Sequence, residues 1–269
     1  MAKRKPAASQ THRICNVLPS KNTQNDWNFG DATSSGMLGA VAALPASKDL
    51  RAAWWKVGDQ GSTGSCVGWG SADGLMRYQM VRASRLGQSV LLSPRFTWMA
   101  SKETDEFTAR PATFIEGAGT SLKAALDICR KYGVVRDSVL PFHLQTKMYM
   151  GDENAFFAAA ATRKCAAYVN MFRNFTQWRT WLANNCPVLV ALNVDSSFDR
   201  AAQTSGLIDN FQPATTRGGH CVCLVGYRAD GRFIIRNSWG TAWGDQGFAY
   251  ASEAYINAAF FNESYGISL

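Results

Sequence analysis

The chain has 269 residues, 46% of them apolar and 12% aromatic, which is ample for a large domain or two lobes and excludes a globally disordered chain. Its formal charge of +8 is concentrated at the start, where Lys3, Arg4, Lys5, Arg13 and Lys21 precede the first acid, Asp26, and leave +3 on the remainder. A basic tail on a nearly balanced body argues against specific nucleic-acid recognition, and no run approaches the roughly 20 apolar residues of a membrane span, so neither partner nor membrane insertion is expected.

Residues 1–45 are rich in Ala, Ser, Thr, Asn and Gly without sustained periodicity. They read as a mobile extension with one packed patch around Trp27–Phe29. They hold no apolar core of a Sec-type signal peptide, which leaves a cytoplasmic protein or one exported by another route, including a secreted effector. Residues 59–70, DQGSTGSCVGWG, then place a cysteine among four glycines. Apolar and small side chains recur at helical spacing from Cys66 onward, through Val67, Gly70, Leu75, Met76 and Met80, and predict a buried helix. Its glycines at 68, 70 and 74 each cost about 1 kcal/mol against alanine, so another chain segment should approach closely there.

LSPRFTWMASK opens a second helix with Ser93 as N-cap and Pro94 at its first position. GTSLKAALDICRKYGVV gives a third, with Leu122, Ala125, Leu126 and Cys129 on one face and Gly133 as its stop. The second half changes character. FTQWRTWLANN is a short amphipathic helix, whereas CPVLVALNV, HCVCLVGYR and RFIIRNSW are β-branched apolar runs bounded by turns. Asp230-Gly231 joins the last two as a hairpin. Helices first and strands later predict an α+β protein with a helical lobe at about 46–143, an antiparallel β-rich lobe at about 144–269, and a cleft between them.

Seven cysteines, at 15, 66, 129, 165, 186, 221 and 223, lack the paired spacing of a metal site and are too sparse for a disulfide scaffold. No metal or cofactor is expected, and free thiols in a reducing compartment are the simpler assumption. Cys221 and Cys223 fall on one face of a strand, where packing is the expected role. Of the three histidines, His12 lies in the tail and His143 in a loop, whereas His220 opens a strand after two glycines. Asn237 ends the partner strand of that hairpin, which brings it beside His220. Cys66, His220 and Asn237 are thus a nucleophile, a base and a group able to orient the base. A cysteine at a helix N-terminus beside an imidazolium favours its thiolate.

DQGSTGSC, GGHCVCLVGY and RNSWGTAWGDQGF, in this order, resemble the papain-like cysteine peptidases, a group that includes the cathepsins. The resemblance extends more weakly over residues 47–250. It implies a papain-like two-lobe fold and a thiol protease acting on polypeptides, with Cys66 as nucleophile, His220 as general base and acid, and Asn237 as its orienter. Gln60 would supply an oxyanion-hole donor beside the Cys66 backbone N–H. Trp239 would cover the His–Asn hydrogen bond and Trp243 would line the leaving-group side. Gly64, Ser65, Gly119, Thr120 and Gly219 would line the substrate path. Leu122 and Ala191 would lie near the main specificity pocket, favouring an apolar second residue on the acyl side of the scissile bond. An isopeptidase or acyltransferase with the same triad is the alternative, and a catalytically dead binding module a more distant one. The family's usual second cysteine is replaced by Thr63, its disulfide partner falls near Gly117, and the aromatic after the nucleophile is Val67. The long helical prosegment of secreted relatives is missing, which leaves residues 1–45 as either a mobile targeting tail with no effect on catalysis or a segment that lies against the cleft around Trp27–Phe29.

Overall fold

The computed structural model describes residues 13–39, 43–104, 115–145, 147–184 and 186–269. Lys3, Arg4, Lys5 and His12 lie outside them. The helix expected at Cys66 forms as α2 (Cys66–Gly68), continues through a π-helical segment at Trp69–Met76, and returns to α-helix as α3 (Arg77–Arg82). Its glycines mark close approaches. A Cβ at Gly70 would lie 2.7 Å from Cys221 Sγ, one at Gly74 would overlap Cys223 Sγ, and one at Gly68 would overlap the Pro94 carbonyl. The two thiols of the C-x-C strand therefore seat on helix backbone, and the cost of helical glycine is offset by this contact.

α4 (Pro94–Thr104) starts as read, with Ser93 Oγ accepting from the Phe96 N–H, and α5 (Leu122–Lys131) is capped by Ser121 and stopped at Gly133, whose φ of 90° suits glycine. The sheet is built from β1 (Lys48–Asp49), β2 (Ala167–Asn170), β3 (Val188–Val194), β4 (Leu207–Ile208), β5 (Gly218–Tyr227), β6 (Phe233–Arg236), β7 (Phe248–Ala251) and β8 (Phe260–Ser268). Their order is β2-β8-β3-β5-β6-β7-β4, with β1 also on β5, and every pairing is antiparallel except β4 with β7. β3 and β5 are buried almost throughout, which explains why they read as unbroken apolar runs. α6 (Glu153–Ala161), α7 (Phe175–Ala183), α8 (Ser196–Asp199) and α9 (Glu253–Ala259) complete the chain.

The central helix is joined to the sheet by a buried charge cluster. Asp73 meets Arg77 at 2.9 Å and Arg236 of β6 at 2.5 Å, and Trp55 lies under the Arg236 guanidinium at 4.6 Å. No helix of the described residues is long and apolar enough to cross a membrane, and they contain no cluster of three metal-ligating side chains.

The described part of the extension is packed against the body. Asn28 caps α1 (Phe29–Ser34) in a capping box, Ala32 is fully buried, and the Trp27 carbonyl accepts from Asn170 N–H of β2 at 2.7 Å. Trp27 itself is half exposed.

Candidate active site

Cys66 is the first residue of α2, fully buried, and its sulfur faces the backbone N–H of Cys221, the residue after His220. His220 Nε2 lies 2.7 Å from Asn237 Oδ1. The same Oδ1 accepts from the Ser238 backbone N–H at 2.8 Å, which can only donate, so the amide orientation is set. His220 Nε2 must then carry the proton it donates to Asn237, and Nδ1 is left with a lone pair and no hydrogen-bond partner among the described residues. Trp239 lies against the imidazole with ring centroids 4.8 Å apart, and Phe198 packs beside both rings, 5.8 Å from the imidazole and 5.2 Å from Trp239. The Trp243 indole N–H donates to the Phe198 carbonyl at 2.8 Å, so Trp243 supports this wall.

Gln60 is oriented by the same strand end. Its N–H donates to the Ser238 carbonyl at 2.8 Å, and Ser238 Oγ donates to its Oε1 at 2.8 Å. That turns Nε2 toward the Thr63 carbonyl, 2.8 Å, and the Ile14 carbonyl, 3.4 Å. Where the resemblance led to a missing disulfide, hydrogen bonds hold the loop: Gly64 N–H donates to the Glu116 carbonyl at 2.8 Å, and Thr63 Oγ1 donates to Gln60 O and contacts Ser65 Oγ, both at 2.7 Å. A Cβ at Gly64 would lie 2.5 Å from the Ala118 carbonyl, so these two strips of chain touch.

The cleft beside these residues is filled by the extension, at Arg13–Leu18 rather than at the expected Trp27–Phe29. Arg13 pairs with Asp59 and donates to the carbonyls of Gly61 and Trp239, at 3.1 and 3.2 Å. Arg217 donates to the Arg13 carbonyl at 2.9 Å. The Ile14 carbonyl meets Gln60, the Cys15 carbonyl seats on Gly218, and Asn16 donates to the Gly117 carbonyl and packs on Gly119. Val17 N–H donates to Gly219 O at 3.0 Å, and Leu18 N–H to Thr120 O at 3.1 Å. A strand with alternating main-chain contacts to both walls is the geometry of an extended polypeptide in the cleft. Trp27–Phe29 sits instead beside β2, because the Trp27 carbonyl pairs with Asn170. The Cys15 carbonyl and Val17 approach closely at the glycine pair 218–219, and nothing in the sequence said which segment would do so.

Burial of both groups changes the expected electrostatics. It pushes the Cys66 thiol up to about 11, against the backbone N–H groups of Cys221 and Val67 that pull it down. It pushes His220 down to about 4, outweighing the upward pull of its bond to Asn237, while Arg217 and Arg13 add to the fall. Exclusion of the water that would solvate either charge thus works against the thiolate–imidazolium pair expected from the sequence.

The family model for the papain family cysteine proteases matches residues 44–265, and the chain belongs to that family. It is 33% identical over 87 residues to cathepsin F of Mus musculus, covering 30% of this chain and 18% of the relative, and 30% identical over 117 residues to macrodontain-1 of Ananas macrodontes, covering 43% and 51%. The matched stretches thus span at most about half the length of these curated relatives. The fold is that of xylellain, a cysteine protease from Xylella fastidiosa, at a TM-score of 0.77 and 20% identity over 97% of this chain and 98% of that one. Procathepsin L2 of the Tenebrio molitor larval midgut superposes with a TM-score of 0.71 at 21% identity, over 96% and 78%. The α+β architecture and its papain-like form are those expected from the sequence.

Proposed function

We propose that the chain is a thiol endopeptidase in which Cys66 attacks the peptide carbonyl, His220 moves the protons and Asn237 holds His220. His220 Nδ1 takes the thiol proton as the Cys66 sulfur bonds to the carbonyl carbon. The negative charge gathers on the carbonyl oxygen, opposite Gln60 Nε2 and the Cys66 backbone N–H at the start of α2. Collapse breaks the C–N bond, and Nδ1–H delivers its proton to the leaving amine. Water then gives a proton to His220 and its oxygen to the thioester carbon, and collapse frees the acid and restores the thiol.

The observation that carries this reading is the fixed His220–Asn237 bond, with the unpartnered Nδ1 on the strand whose next N–H faces the Cys66 sulfur. The seat of Arg13–Leu18 supports a polypeptide substrate, since a main chain already fits between Gly119–Thr120 and Gly219. It also supports a latent closed state that must open before turnover. The test is incubation with a peptidyl-epoxide thiol probe and mass spectrometry of the labelled residue, beside hydrolysis of a peptide library. Labelling at Cys66, and hydrolysis lost in Cys66→Ala, are expected. Labelling at Cys129 or Cys221 in preference to Cys66 overturns the assignment.

A further inference from the structure

In the chemistry above, Gln60 supplies the side-chain donor that meets the oxyanion, and its surroundings leave it a single proton for that task. It is fully buried, and its N–H and Oε1 are both tied to Ser238 at 2.8 Å. One Nε2 proton goes to the Thr63 carbonyl at 2.8 Å. The other faces the Ile14 carbonyl at 3.4 Å, the place left for a substrate oxygen once the extension leaves. The last polar atom of Gln60, its carbonyl, accepts from Thr63 Oγ1 at 2.7 Å. Gln60 and Thr63 thus hold each other through two hydrogen bonds, one from each side chain to the other's main chain.

A threonine hydroxyl has one proton to give. With that proton on the Gln60 carbonyl, the 2.7 Å contact between Thr63 Oγ1 and Ser65 Oγ is donated by Ser65. Ser65 is fully buried at the N-cap of α2, yet its side chain accepts from no helix N–H, so its hydroxyl serves the loop rather than the helix. The next residue is Cys66, whose backbone N–H is the second oxyanion donor. One hydroxyl therefore joins the two segments that carry the two donors. Thr63 also stands where the resemblance places a cysteine bridged to the strip near Gly117. A Cβ at Gly117 would meet only Ile14 Cδ1 within 4 Å, so the Thr63 side chain turns toward Gln60 and not toward that strip. The strip is tied by main chain instead, through Gly64 N–H on the Glu116 carbonyl. The Glu116 carboxylate is itself held by the buried Arg95 at 2.6 and 3.1 Å.

We propose that Thr63 is a positioning residue of the oxyanion hole, its hydroxyl holding the Gln60 amide and the Cys66 N–H at a fixed spacing. The inference rests on the peptidase reading with Gln60 as a donor. A hydroxyl clasp inside the loop takes the part that a covalent bridge to the far strip would play, so the spacing of the donors depends on one oxygen atom. Loss of that oxygen leaves the Cys66 thiol and His220 in place but releases the donors from the spacing, held to within about 0.5 Å, that stabilisation of developing charge demands.

The experiment uses the full chain and compares Thr63→Val, which keeps the branched shape without the hydroxyl, with Thr63→Ser, which keeps the hydroxyl. Two rates are read: hydrolysis of one peptide, as kcat and KM, and alkylation of Cys66 by iodoacetamide, a displacement at a saturated carbon that builds no oxyanion. Thr63→Val should lower kcat about three- to tenfold, the scale of one neutral hydrogen bond, with KM and the alkylation rate within about twofold of wild type. Thr63→Ser should recover most of that loss. On a Gln60→Ala background the effect of Thr63→Val should shrink, because one of the two donors it positions is gone. Unchanged kcat in a folded Thr63→Val protein, alkylation slowed as much as kcat, or an undiminished effect on the Gln60→Ala background overturns the role of Thr63 and leaves the peptidase reading standing. If Thr63→Val does not fold, Ser65→Ala removes the donor to the same oxygen and is judged by the same readouts. Absence of Cys66-dependent hydrolysis in wild type overturns both.

Discussion

Asn237 and His220 divide one task. The amide places the ring and sets its tautomer, and in the proposed mechanism the ring carries the proton. Asn237→Ala should therefore leave measurable turnover, and His220→Ala almost none; equal loss in two folded variants would remove that division. Gln60 should act on kcat rather than KM, because its Nε2 meets full negative charge only near the transition state. Gln60→Ala is expected to lower kcat about 10²- to 10³-fold, as loss of one oxyanion donor does elsewhere. His220 also links stability to pH. Its folded pKa of about 4 lies below the ordinary 6.5, so between these values the unfolded chain binds a proton that the native chain does not. Its neutral, buried form contributes fully above pH 6.5, and that contribution is lost as pH falls toward 4. Urea unfolding of wild type and His220→Gln over this window should give a smaller fall in the variant. Glu263 and Asp137, whose pKa values burial raises, act in the opposite sense in both proteins and drop out of the difference.

At the scale of elements, the central helix depends on glycine where two thiols seat. Gly74→Ala would gain about 1 kcal/mol of helix propensity but press its methyl into Cys223 Sγ, and overpacking of this kind costs about 1–3 kcal/mol. A net fall in thermal stability is expected, recovered when Cys223→Ala is added; no recovery would show that the clash is not the cause. Asp73→Ala should be worse, at about 3–5 kcal/mol in urea unfolding, since it leaves Arg77 and Arg236 buried without their shared acid. Much of this level was legible in the sequence. The caps at Ser93 and Ser121, the stop at Gly133 and the Asp230-Gly231 turn are local chemistry, and the structure uses each. The glycines at 70 and 74 announced a close neighbour. What stayed illegible was nonlocal: the Asp73 cluster, the register shift of β8 between its pairings with Val190 and Leu192, and the π-helical turn at Trp69–Met76, whose Asp73 carbonyl is taken by the Trp55 indole N–H at 2.8 Å. Each needs a partner distant in sequence that no spacing rule names.

At the scale of the whole molecule, Cys66, His220 and Asn237 could be read from their order, but the strand across them could not. Ile14, Cys15, Val17 and Leu18 make residues 13–18 mostly apolar, but the run is too short to name its seat, and main-chain and ionic bonds to distant residues fix where it lies. Arg13 touches Asp59, Gly61, Trp239 and Arg217 through its side chain or carbonyl, which makes it the best single handle on closure. Arg13→Ala should raise kcat/KM on a small peptide about three- to tenfold, mainly through KM, with Cys66 alkylated correspondingly faster. Unchanged values in both assays would mean that the strand leaves the cleft freely.

The strand that covers Cys66 is anchored a few residues later, by the Trp27 carbonyl on β2 and by α1 with Ala32 in the core. It is therefore a tethered ligand, present at an effective concentration in the millimolar range for so short a connection. Its hold on the cleft is unaffected by dilution of the enzyme, and a free peptide of residues 13–20 would need comparable millimolar amounts to match it. The tether also makes closure self-renewing: each time a product leaves, the cleft's own chain is the nearest competitor for the vacated seat. Under the proposed mechanism a substrate would have to win against that neighbour at every turnover, which would favour targets held nearby by other contacts over peptides met by diffusion alone.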